Sequence, residues 1–342
     1  MDIRHTVSPR RPSPRIPSWI GSRVGSVLAL SALAALSATG AGAQESDDVH
    51  LADIHETERG PALRAVRNLT RRQGYDNQPA FSPDGNTLFY TSQRGDGDAL
   101  QTDIWQIDLT RDPLHPRALF ESPTSEYSPT PVPGADALSV IRVEEDGKQK
   151  LWRLPLDGAA PRRVLDQVEP VGYHAWAGTE LVLFVLAEPH QLQRVSGAVP
   201  SNLGRVVAAD IGRALHKIPG RDAFSFVHKT EEGWWIKSLE VEGDRLAKLV
   251  RTRGEREDFA WAPDGSLWTS DGETFFRFRP GVDDDWRPVE LTGPSPRGIT
   301  RLTVSPDGRH LAFVAEASPA PALEGAAAEA TGAETTENDG ET

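Results

Sequence analysis

A small set of acidic and histidine side chains in this sequence could carry out hydrolysis. Paired carboxylates can act as general acid and base, and carboxylate and imidazole groups together can hold a catalytic metal ion. The residues that suit either role are Asp76, His174, His216, Glu257 and Asp258. The chain has no Cys to act as a thiolate, and no G-x-S-x-G nucleophile motif follows residue 43. A hydrolase of the lactonase or glycosidase kind is therefore one functional alternative.

Clustered aspartates suggest a second kind of chemistry, the binding of Ca²⁺, which prefers carboxylate oxygens. Asp96 and Asp98 lie in one polar loop, and residues 283–285 form a run of three aspartates. The loop that carries Asp96 and Asp98 lacks the sixth-position Gly and the terminal Glu of an EF-hand. The favoured interpretation of these aspartates is therefore that they lie in solvated acidic loops. We predict no cofactor.

A repeated turn indicates which elements must position these residues. The stretch FSPDGNTLFYTS at 81–92 returns as WAPDGSLWTSDG at 261–272 and as VSPDGRHLAFVA at 304–315. Pro presets the turn, Asp can cap its own backbone and Gly takes the left-handed position, so each copy predicts a hairpin rather than a catalytic aspartate. The last two copies are 43 residues apart, and the first lies 180 residues before the second, close to four such periods. This spacing predicts three weaker copies between them.

Strand–turn–strand patterns occupy the predicted positions. The weaker first hairpins lie at 131–143, 175–186 and 218–228, and second hairpins follow at 103–120, 150–165, 191–208, 235–252 and 275–292. The sixth unit has no second hairpin after residue 315, but residues 48–70 have the same form. We therefore predict an all-β, six-bladed β-propeller over residues 44–315, closed by N-terminal strands that complete the last blade. A β-sandwich also has many short strands, but it does not predict this period.

The segments before each first strand should gather at one mouth of the central channel of the propeller. They are rich in Tyr, His, Arg and acidic residues, and the candidates are Tyr75, Asp76, Asn77, Glu126, Tyr127, Tyr173, His174, Arg213, His216, Glu257, Asp258 and Arg297. One interpretation is a polar, aromatic-edged site for a peptide segment or small ligand, in a channel where Ca²⁺ could also bind. The other is that these side chains hydrogen-bond between blades and close the channel.

The segment from Gly74 to Leu109 resembles the repeat of the TolB-like, WD-like propellers. The matching residues are Tyr75, Asp76, Pro79, Ser82–Gly85, Arg94, Gly95, Asp103, Ile104 and Trp105. The resemblance implies a six-bladed propeller that is exported to the periplasm and binds other proteins. It covers the propeller alone, without the α/β domain that precedes the propeller in the namesake of the family. The same repeat forms the substrate-gating propeller of prolyl-oligopeptidase-like and tricorn-like peptidases, so an accessory propeller for a separately encoded peptidase or transporter is a further alternative.

The two ends of the chain differ from the repeats. Five Arg, an apolar run at 24–36 and Ala41-Gly42-Ala43 predict a cleaved signal peptide over residues 1–43. The run is too short for a membrane anchor, so we predict no transmembrane segment after cleavage. Residues 316–342 are rich in Ala, Glu and Thr without apolar periodicity, which predicts a disordered acidic tail.

Charge and composition narrow the class of partner. The chain has a net charge of −13, which becomes about −17 without residues 1–43, and this disfavours nucleic acid and anionic membrane surfaces. Without Cys there are no disulfides, so stability must come from a sizeable core. We therefore predict a periplasmic or secreted monomer that acts as a non-catalytic scaffold and binds a protein or peptide partner in the cell envelope.

Overall fold

The described part of the chain is built from β-strands alone. A computed structural model describes residues 46–95, 100–197, 199 and 201–317, and in these it contains 25 strands arranged in six sheets. The alternation of apolar and polar residues between the repeated turns explains the short strands, since each strand buries a face against a neighbouring sheet. Within these residues there is no helix, and so none that could cross a membrane.

Five of the sheets each take four strands from one continuous stretch of chain, and these are blades 1 to 5. Blade 1 contains β3 (Asp76–Phe81), β4 (Thr87–Arg94), β5 (Gln101–Asp108) and β6 (Arg117–Phe120). Blade 2 contains β7 (Glu126–Pro131), β8 (Ala137–Val143), β9 (Gln149–Pro155) and β10 (Arg162–Arg163). Blade 3 contains β11 (Val171–Ala177), β12 (Glu180–Val185), β13 (Gln191–Val195) and β14 (Arg205–Ala209). Blade 4 contains β15 (Ile211–Lys217), β16 (Ala223–Thr230), β17 (Gly233–Glu240) and β18 (Leu246–Arg251), and blade 5 contains β19 (Phe259–Trp261), β20 (Leu267–Ser270), β21 (Phe275–Phe278) and β22 (Arg287–Pro288).

Blade 6 joins the two ends of the described chain, as the sequence predicts. Its sheet runs in the order β23-β2-β1-β25-β24, with β1 at Asp47–Thr57, β2 at Gly60–Asn68, β23 at Glu290–Leu291, β24 at Thr300–Val304 and β25 at His310–Glu316. The N-terminal strand β1 pairs antiparallel with β25, with Val49 opposite Val314. The strand β25 also includes Glu316, one residue beyond the predicted end of the propeller. Ring closure by the N-terminal strands is therefore confirmed.

The fifth strand of blade 6 is a feature that the sequence does not predict. The predicted hairpin at 275–292 ends in β23, which leaves blade 5 and pairs in parallel with β2, with Glu290 opposite Ala62. The backbone N–H of Thr292 then donates to the carbonyl of Leu63 at 2.9 Å. Blades 5 and 6 are therefore linked by backbone hydrogen bonds as well as by side-chain packing.

The core consists of six apolar clusters, one between each pair of neighbouring blades. Between blades 6 and 1, for example, Leu51 of β1 packs with Leu88 and Tyr90 of β4, and all three side chains are almost fully buried. Between blades 4 and 5, Val227 and Phe259 lie in another such cluster. Each sheet thus buries both faces, which is why the strands that follow the turns are almost continuously apolar.

The repeated aspartates have a local structural role, in agreement with the prediction. Asp84 accepts a hydrogen bond from the Ser82 hydroxyl at 2.5 Å and from the backbone N–H of Asn86 at 3.0 Å. The Ser305 hydroxyl and Asp307 repeat this contact at 2.6 Å. These bonds close the turn between the first two strands of blade 1 and the turn between β24 and β25 of blade 6.

Three predictions fall wholly or partly outside the described residues. They are the signal peptide at 1–43, the acidic tail beyond Ala317, and the loop with Asp96 and Asp98.

Candidate ligand site in the central channel

The innermost strands of the six blades surround a cavity of about 370 Å³. It is lined by residues of the innermost strands β3, β7, β11, β15, β19 and β24. Asp258, just before β19, and the turn residues Pro133 and Pro306 complete the lining. The lining combines prolines and aromatic side chains with polar groups such as Thr130, Lys217 and Thr303. A cavity of this size could hold a peptide segment or a small ligand.

An irregularity in strand pairing recurs in the innermost strand and sets which side chains reach the cavity. The register shifts between Asn77 and Ala80 in blade 1, between Tyr127 and Thr130 in blade 2, and at matching places in blades 4 and 6. In blade 3 the shift comes earlier and leaves Gly172 unpaired, while Tyr173 pairs with Phe184. A bulge of this kind leaves a residue unpaired in the ladder and redirects its side chain. In blades 1, 2, 4 and 6 the unpaired stretch contains a residue that lines the channel.

The pairing between the first two strands of each blade identifies one cavity-lining residue per blade. In five blades a residue of the innermost strand pairs with a leucine of the next strand, and the residue three positions earlier lines the cavity. We call these five residues the bulge ring, and they are Gln78, Ser128, Tyr173, Asp258 and Arg301. Blade 4 has Ala214 at the equivalent position, where Lys217 pairs with Phe224.

Three members of the bulge ring have an unusual backbone conformation. Gln78, Ser128 and Arg301 have φ of 56°, 56° and 52°, in the left-handed region that residues other than glycine seldom adopt. Such a conformation is maintained by surrounding contacts, because it costs free energy on its own. One such contact joins two blades, since the backbone N–H of Ser128 donates to Oε1 of Gln78 at 2.8 Å.

Two arginines and one aspartate form a charged cluster where blades 4, 5 and 6 face the cavity. Arg213 donates to Asp258 through Nε at 3.2 Å and through Nη2 at 2.7 Å. Arg301 lies on the other side of the same carboxylate, with Nη1 4.0 Å from Oδ1. Burial alone would raise the pKa of Asp258, but Arg301 and Arg213 together outweigh it and hold that pKa below its ordinary value. The two arginines therefore favour the ionised form of Asp258.

Arg301 also connects the charged side of the ring to an aromatic side. Its Nη2 donates to the Tyr173 hydroxyl at 2.9 Å, and its guanidinium carbon lies 5.0 Å from the centroid of the Tyr173 ring. Tyr75 interacts electrostatically with Arg301, Tyr173 and Tyr127, and burial raises the pKa of its phenol. We call Tyr75, Tyr127 and Tyr173 the tyrosine collar. All three rings are partly exposed, so the collar offers aromatic surface beside the cation.

Comparison with solved structures identifies the architecture. A TolB-like protein from Agrobacterium tumefaciens aligns with a TM-score of 0.57 and 16% sequence identity, over 81% of this chain and 100% of that chain. TolB from Acinetobacter baumannii aligns with a TM-score of 0.50 and 13% identity, over 69% of this chain and 65% of that chain. A chain of the nidogen/laminin complex also aligns, with a TM-score of 0.50 and 13% identity, over 64% of this chain and 81% of that chain.

The fold is a TolB-like six-bladed β-propeller. In sequence, no family model matches the chain, and no curated protein matches it. At these identities the likeness concerns the fold.

Three of the predicted site residues lie inside the blades of the TolB-like propeller rather than at its channel. Asp76 accepts from the Ser92 hydroxyl at 2.5 Å and lies 3.7 Å from Arg72. Asn77 donates to Asp47 at 2.9 Å and tethers blade 1 to the N-terminal strand. Glu126 is fully buried. None of these three lines the described cavity.

Glu126 is the equivalent of Asp76 in the next blade. It accepts from Nε of Arg142 at 2.9 Å and also from the Ser122 hydroxyl. Burial raises its pKa to about 7, although Ser122 and Arg142 oppose the change. Burial likewise raises the pKa of Asp76. A perturbed pKa can indicate catalysis, but here it accompanies hydrogen bonds within a blade.

Both predicted histidines line the cavity but are neutral. Burial lowers the pKa of His174 to about 3 and that of His216 to about 4. Nε2 of His174 lies 2.6 Å from the Ser139 hydroxyl, which itself donates to the carbonyl of Thr130. The Ser139 hydroxyl also accepts from Nε1 of Trp176 at 2.8 Å, so His174 belongs to a hydrogen-bond network between blades 2 and 3. His216 packs edge-on against Phe259 with a centroid separation of 4.8 Å.

The remaining predicted residues lie around the ring. Glu257 pairs with Lys229 and accepts from the backbone N–H of Arg213 at 2.9 Å, so it supports the bulge of blade 4. Arg297 is exposed, and its carbonyl accepts from the backbone N–H of Glu316 at 3.0 Å. The cation that blade 6 contributes to the cavity is Arg301, four positions later.

Gln78, Ser128 and Arg301 are the ring members that are not among the predicted site residues, although Gln78 and Ser128 belong to the segments that the sequence places at the channel mouth. Each lies three residues before the partner of a leucine, a position that can be counted back from the repeated turn. In blades 1 and 2 a proline follows directly, in Gln78-Pro79 and Ser128-Pro129. Alignment of the repeats on these prolines, rather than on the start of each apolar run, could have found them.

Of the aspartates considered for Ca²⁺, the structure describes only the run at 283–285. Asp96 and Asp98 are not described, whereas Asp283 pairs with Arg279 at 2.8 Å and with Arg287 at 2.7 Å. The hydrogen bond from Arg279 lowers the pKa of Asp283. In the described residues no group of three or more His, Asp or Glu side chains could hold a metal ion.

Proposed function

We propose that this protein is a member of the TolB-like propeller family that works by binding, and that it captures a protein or peptide segment in the cell envelope at the mouth of its channel. The observation that carries the proposal is the tyrosine collar: Tyr173 lines a cavity of about 370 Å³ and contacts Arg301, and Tyr75 interacts electrostatically with Arg301 and with the other two tyrosines. Tyrosine and arginine are the residue types that contribute most to protein recognition when they are partly desolvated. Export to the periplasm is part of this proposal and follows from the predicted signal peptide.

A non-catalytic role is favoured by the contacts of the residues that could have carried hydrolysis. Asp76 is buried within blade 1, Glu257 pairs with Lys229, and Asp258 pairs with Arg213. His174 and His216 have pKa values lowered to about 3 and about 4, far from the range in which a general base works best. Each of these groups therefore has a structural partner or an environment that disfavours proton transfer.

The decisive experiment compares capture of envelope proteins by the wild-type chain and by the double variant Tyr75→Ala, Tyr127→Ala. Crosslinking and mass spectrometry of the purified protein with an envelope extract should show at least one partner whose recovery drops about tenfold in the variant, the loss expected when aromatic anchors are truncated. Leu203→Ser is a suitable control, because Leu203 is 72% exposed on the segment between β13 and β14.

Thermal melting of all three proteins separates binding from folding. The tyrosine rings are only partly buried, so the double variant should remain folded. Equal recovery of every partner by the folded double variant would contradict capture at the collar.

A further inference from the structure

The charge of the channel is opposite to that of the chain. The formal net charge of the chain is −13, whereas the cavity is lined by Arg213, Lys217 and Arg301 against one carboxylate, Asp258. The two histidines that line it are neutral at physiological pH because burial lowers their pKa. A cationic cavity in an anionic protein selects for an anionic group.

Hydrogen-bond donors without partners lie in the same ring. Nε2 of Gln78 and Oγ of Ser128 are buried and have no hydrogen-bond partner among the described residues. Both residues are more than nine-tenths buried, and both line the cavity. Buried polar groups usually have partners, so two orphans at one level of a channel call for an explanation.

The amide orientation of Gln78 is determined by its neighbours. Its Oε1 accepts from the backbone N–H of Ser128 at 2.8 Å and from the Thr91 hydroxyl at 2.8 Å. The backbone N–H of Ser128 can only donate, so the atom that it contacts is the oxygen and the unpartnered atom is the NH₂ group. The ring therefore presents an unpartnered donor at Gln78.

Arg301 has unused donors as well. A guanidinium carries five N–H groups. The guanidinium group of Arg301 makes one hydrogen bond, to the Tyr173 hydroxyl, a longer ion pair with Asp258 at 4.0 Å, and a cation–π contact with the Tyr173 ring. Arg213, in contrast, directs two nitrogens at Asp258. Arg301 is therefore the cation that can take a second anionic partner.

We propose that the bulge ring binds a carboxylate group, with Arg301 as its ion-pair partner and the Gln78 amide and Ser128 hydroxyl as further donors. The inference rests on the proposed function, because the carboxylate belongs to the ligand that the channel mouth captures. Lys217 is exposed, and its ammonium group donates to the carbonyl of Arg221 at 3.2 Å, so it does not pair with the groups of the ring. Arg301 of the ring and the neighbouring Arg213 against Asp258 then leave a single positive charge at this level, which one carboxylate balances better than a phosphate dianion. The group comes either from the C-terminus of a peptide or from a small organic acid.

Isothermal titration with four probes tests this assignment. The probes are N-acetylated tetra-alanine with a free C-terminal carboxylate, the same peptide as its carboxamide, sodium acetate and inorganic phosphate. Binding of the free-acid peptide but not of the carboxamide supports the inference and identifies a peptide C-terminus. Binding of acetate as tightly as the free-acid peptide supports it and identifies a small acid. Tighter binding of phosphate, equal binding of acid and carboxamide, or no binding overturns it.

Two variants test whether the carboxylate probe binds at the bulge ring. Arg301→Gln should weaken binding of the carboxylate probe about tenfold to a hundredfold, the range for a charged hydrogen bond. Arg59→Gln, in the exposed β1–β2 turn of the same blade, removes the same charge and should leave binding unchanged. Unchanged binding in folded Arg301→Gln overturns the inference.

Gln78→Glu provides a second route if Arg301→Gln does not fold. Glutamate has nearly the same shape and keeps the acceptors for Ser128 and Thr91, but it replaces the unpartnered NH₂ with a negative charge. This variant should fold and lose the probe. Retained binding overturns the inference. If carboxylate probes fail while capture of an envelope partner still depends on the tyrosine collar, only the ligand class is wrong and the proposed function stands.

Discussion

Replacing Glu126 with glutamine should make the protein more stable above about pH 7, although it removes one partner of an ion pair. The carboxyl group of Glu126 has no exposed surface, and its Oε2 has no hydrogen-bond partner among the described residues. Arg142 and the Ser122 hydroxyl contact only Oε1. Burial therefore costs the ionised form more than these two donors return, and the pKa rises from 4.5 to about 7.

The sign of the pH dependence follows from this raised pKa. Between pH 4.5 and about 7 the folded state holds a proton at Glu126 that the unfolded chain releases. The free energy of unfolding therefore falls as pH rises through this window, by about 3 kcal/mol in total if no other group titrates. The contribution is fully present below pH 4.5 and is lost above about pH 7. Glutamine imitates the neutral form, so Glu126→Gln should lack this fall.

Urea unfolding of wild type and Glu126→Gln, followed by tryptophan fluorescence at several pH values, measures the difference directly. The two proteins should be about equally stable near pH 4.5, and the variant should be more stable by about 3 kcal/mol near pH 8. Taking the difference between proteins cancels the titration of other groups. Glu121→Gln is the matched control, since it removes a carboxylate from an exposed position close by in the chain. A Glu126→Gln variant that is less stable than wild type near pH 8 would refute the reasoning, because the ion pair with Arg142 would then outweigh burial.

Three further predictions concern ring closure, the repeated turn and the channel. Leu51→Ala should lower the free energy of unfolding by about 3 kcal/mol, because Leu51 is 1% exposed between blades 6 and 1, whereas Leu203→Ala at an exposed position should change it by less than about 0.5 kcal/mol. A loss below about 1 kcal/mol for Leu51→Ala would mean that the N-terminal strand does not complete blade 6 in solution. Asp84→Ala should cost about 1 kcal/mol in urea unfolding, through the lost bonds to Ser82 and Asn86, and should leave partner capture unchanged. A loss of capture would give this turn a functional role. Elemental analysis of the purified protein should find Ca²⁺ and Zn²⁺ well below one ion per chain, and a stoichiometric ion would favour the hydrolase alternative.

Much of the architecture follows from local sequence signals. The Ser-Pro-Asp-Gly turn carries its own hydrogen bonds, as Asp84 and Asp307 show, so its presence predicts a hairpin wherever it occurs. The spacing between copies of the turn predicts the number of blades. The apolar strands that follow the turn require a sheet on each side. The same counting places the N-terminal strands in blade 6, because the last unit lacks two strands.

The candidate site depends on contacts that no local pattern contains. Tyr173 and Arg301 are 128 residues apart in the chain, and they form a hydrogen bond because the ring closes. Asp76 and Glu126 look like surface acids from their neighbours in sequence, yet strand pairing buries them inside blades. Asn77 and Gln78 are adjacent, and the bulge between Asn77 and Ala80 decides which of them lines the channel.

The sequence by itself thus determined the number of blades and how the ring closes, because turn chemistry and apolar periodicity act over a few residues. Tertiary structure alone decided which side chains line the channel and which charges lack a close partner. These depend on the register between strands and on the distances between blades, and a change of one residue in register moves a side chain from the channel to the interior of a blade.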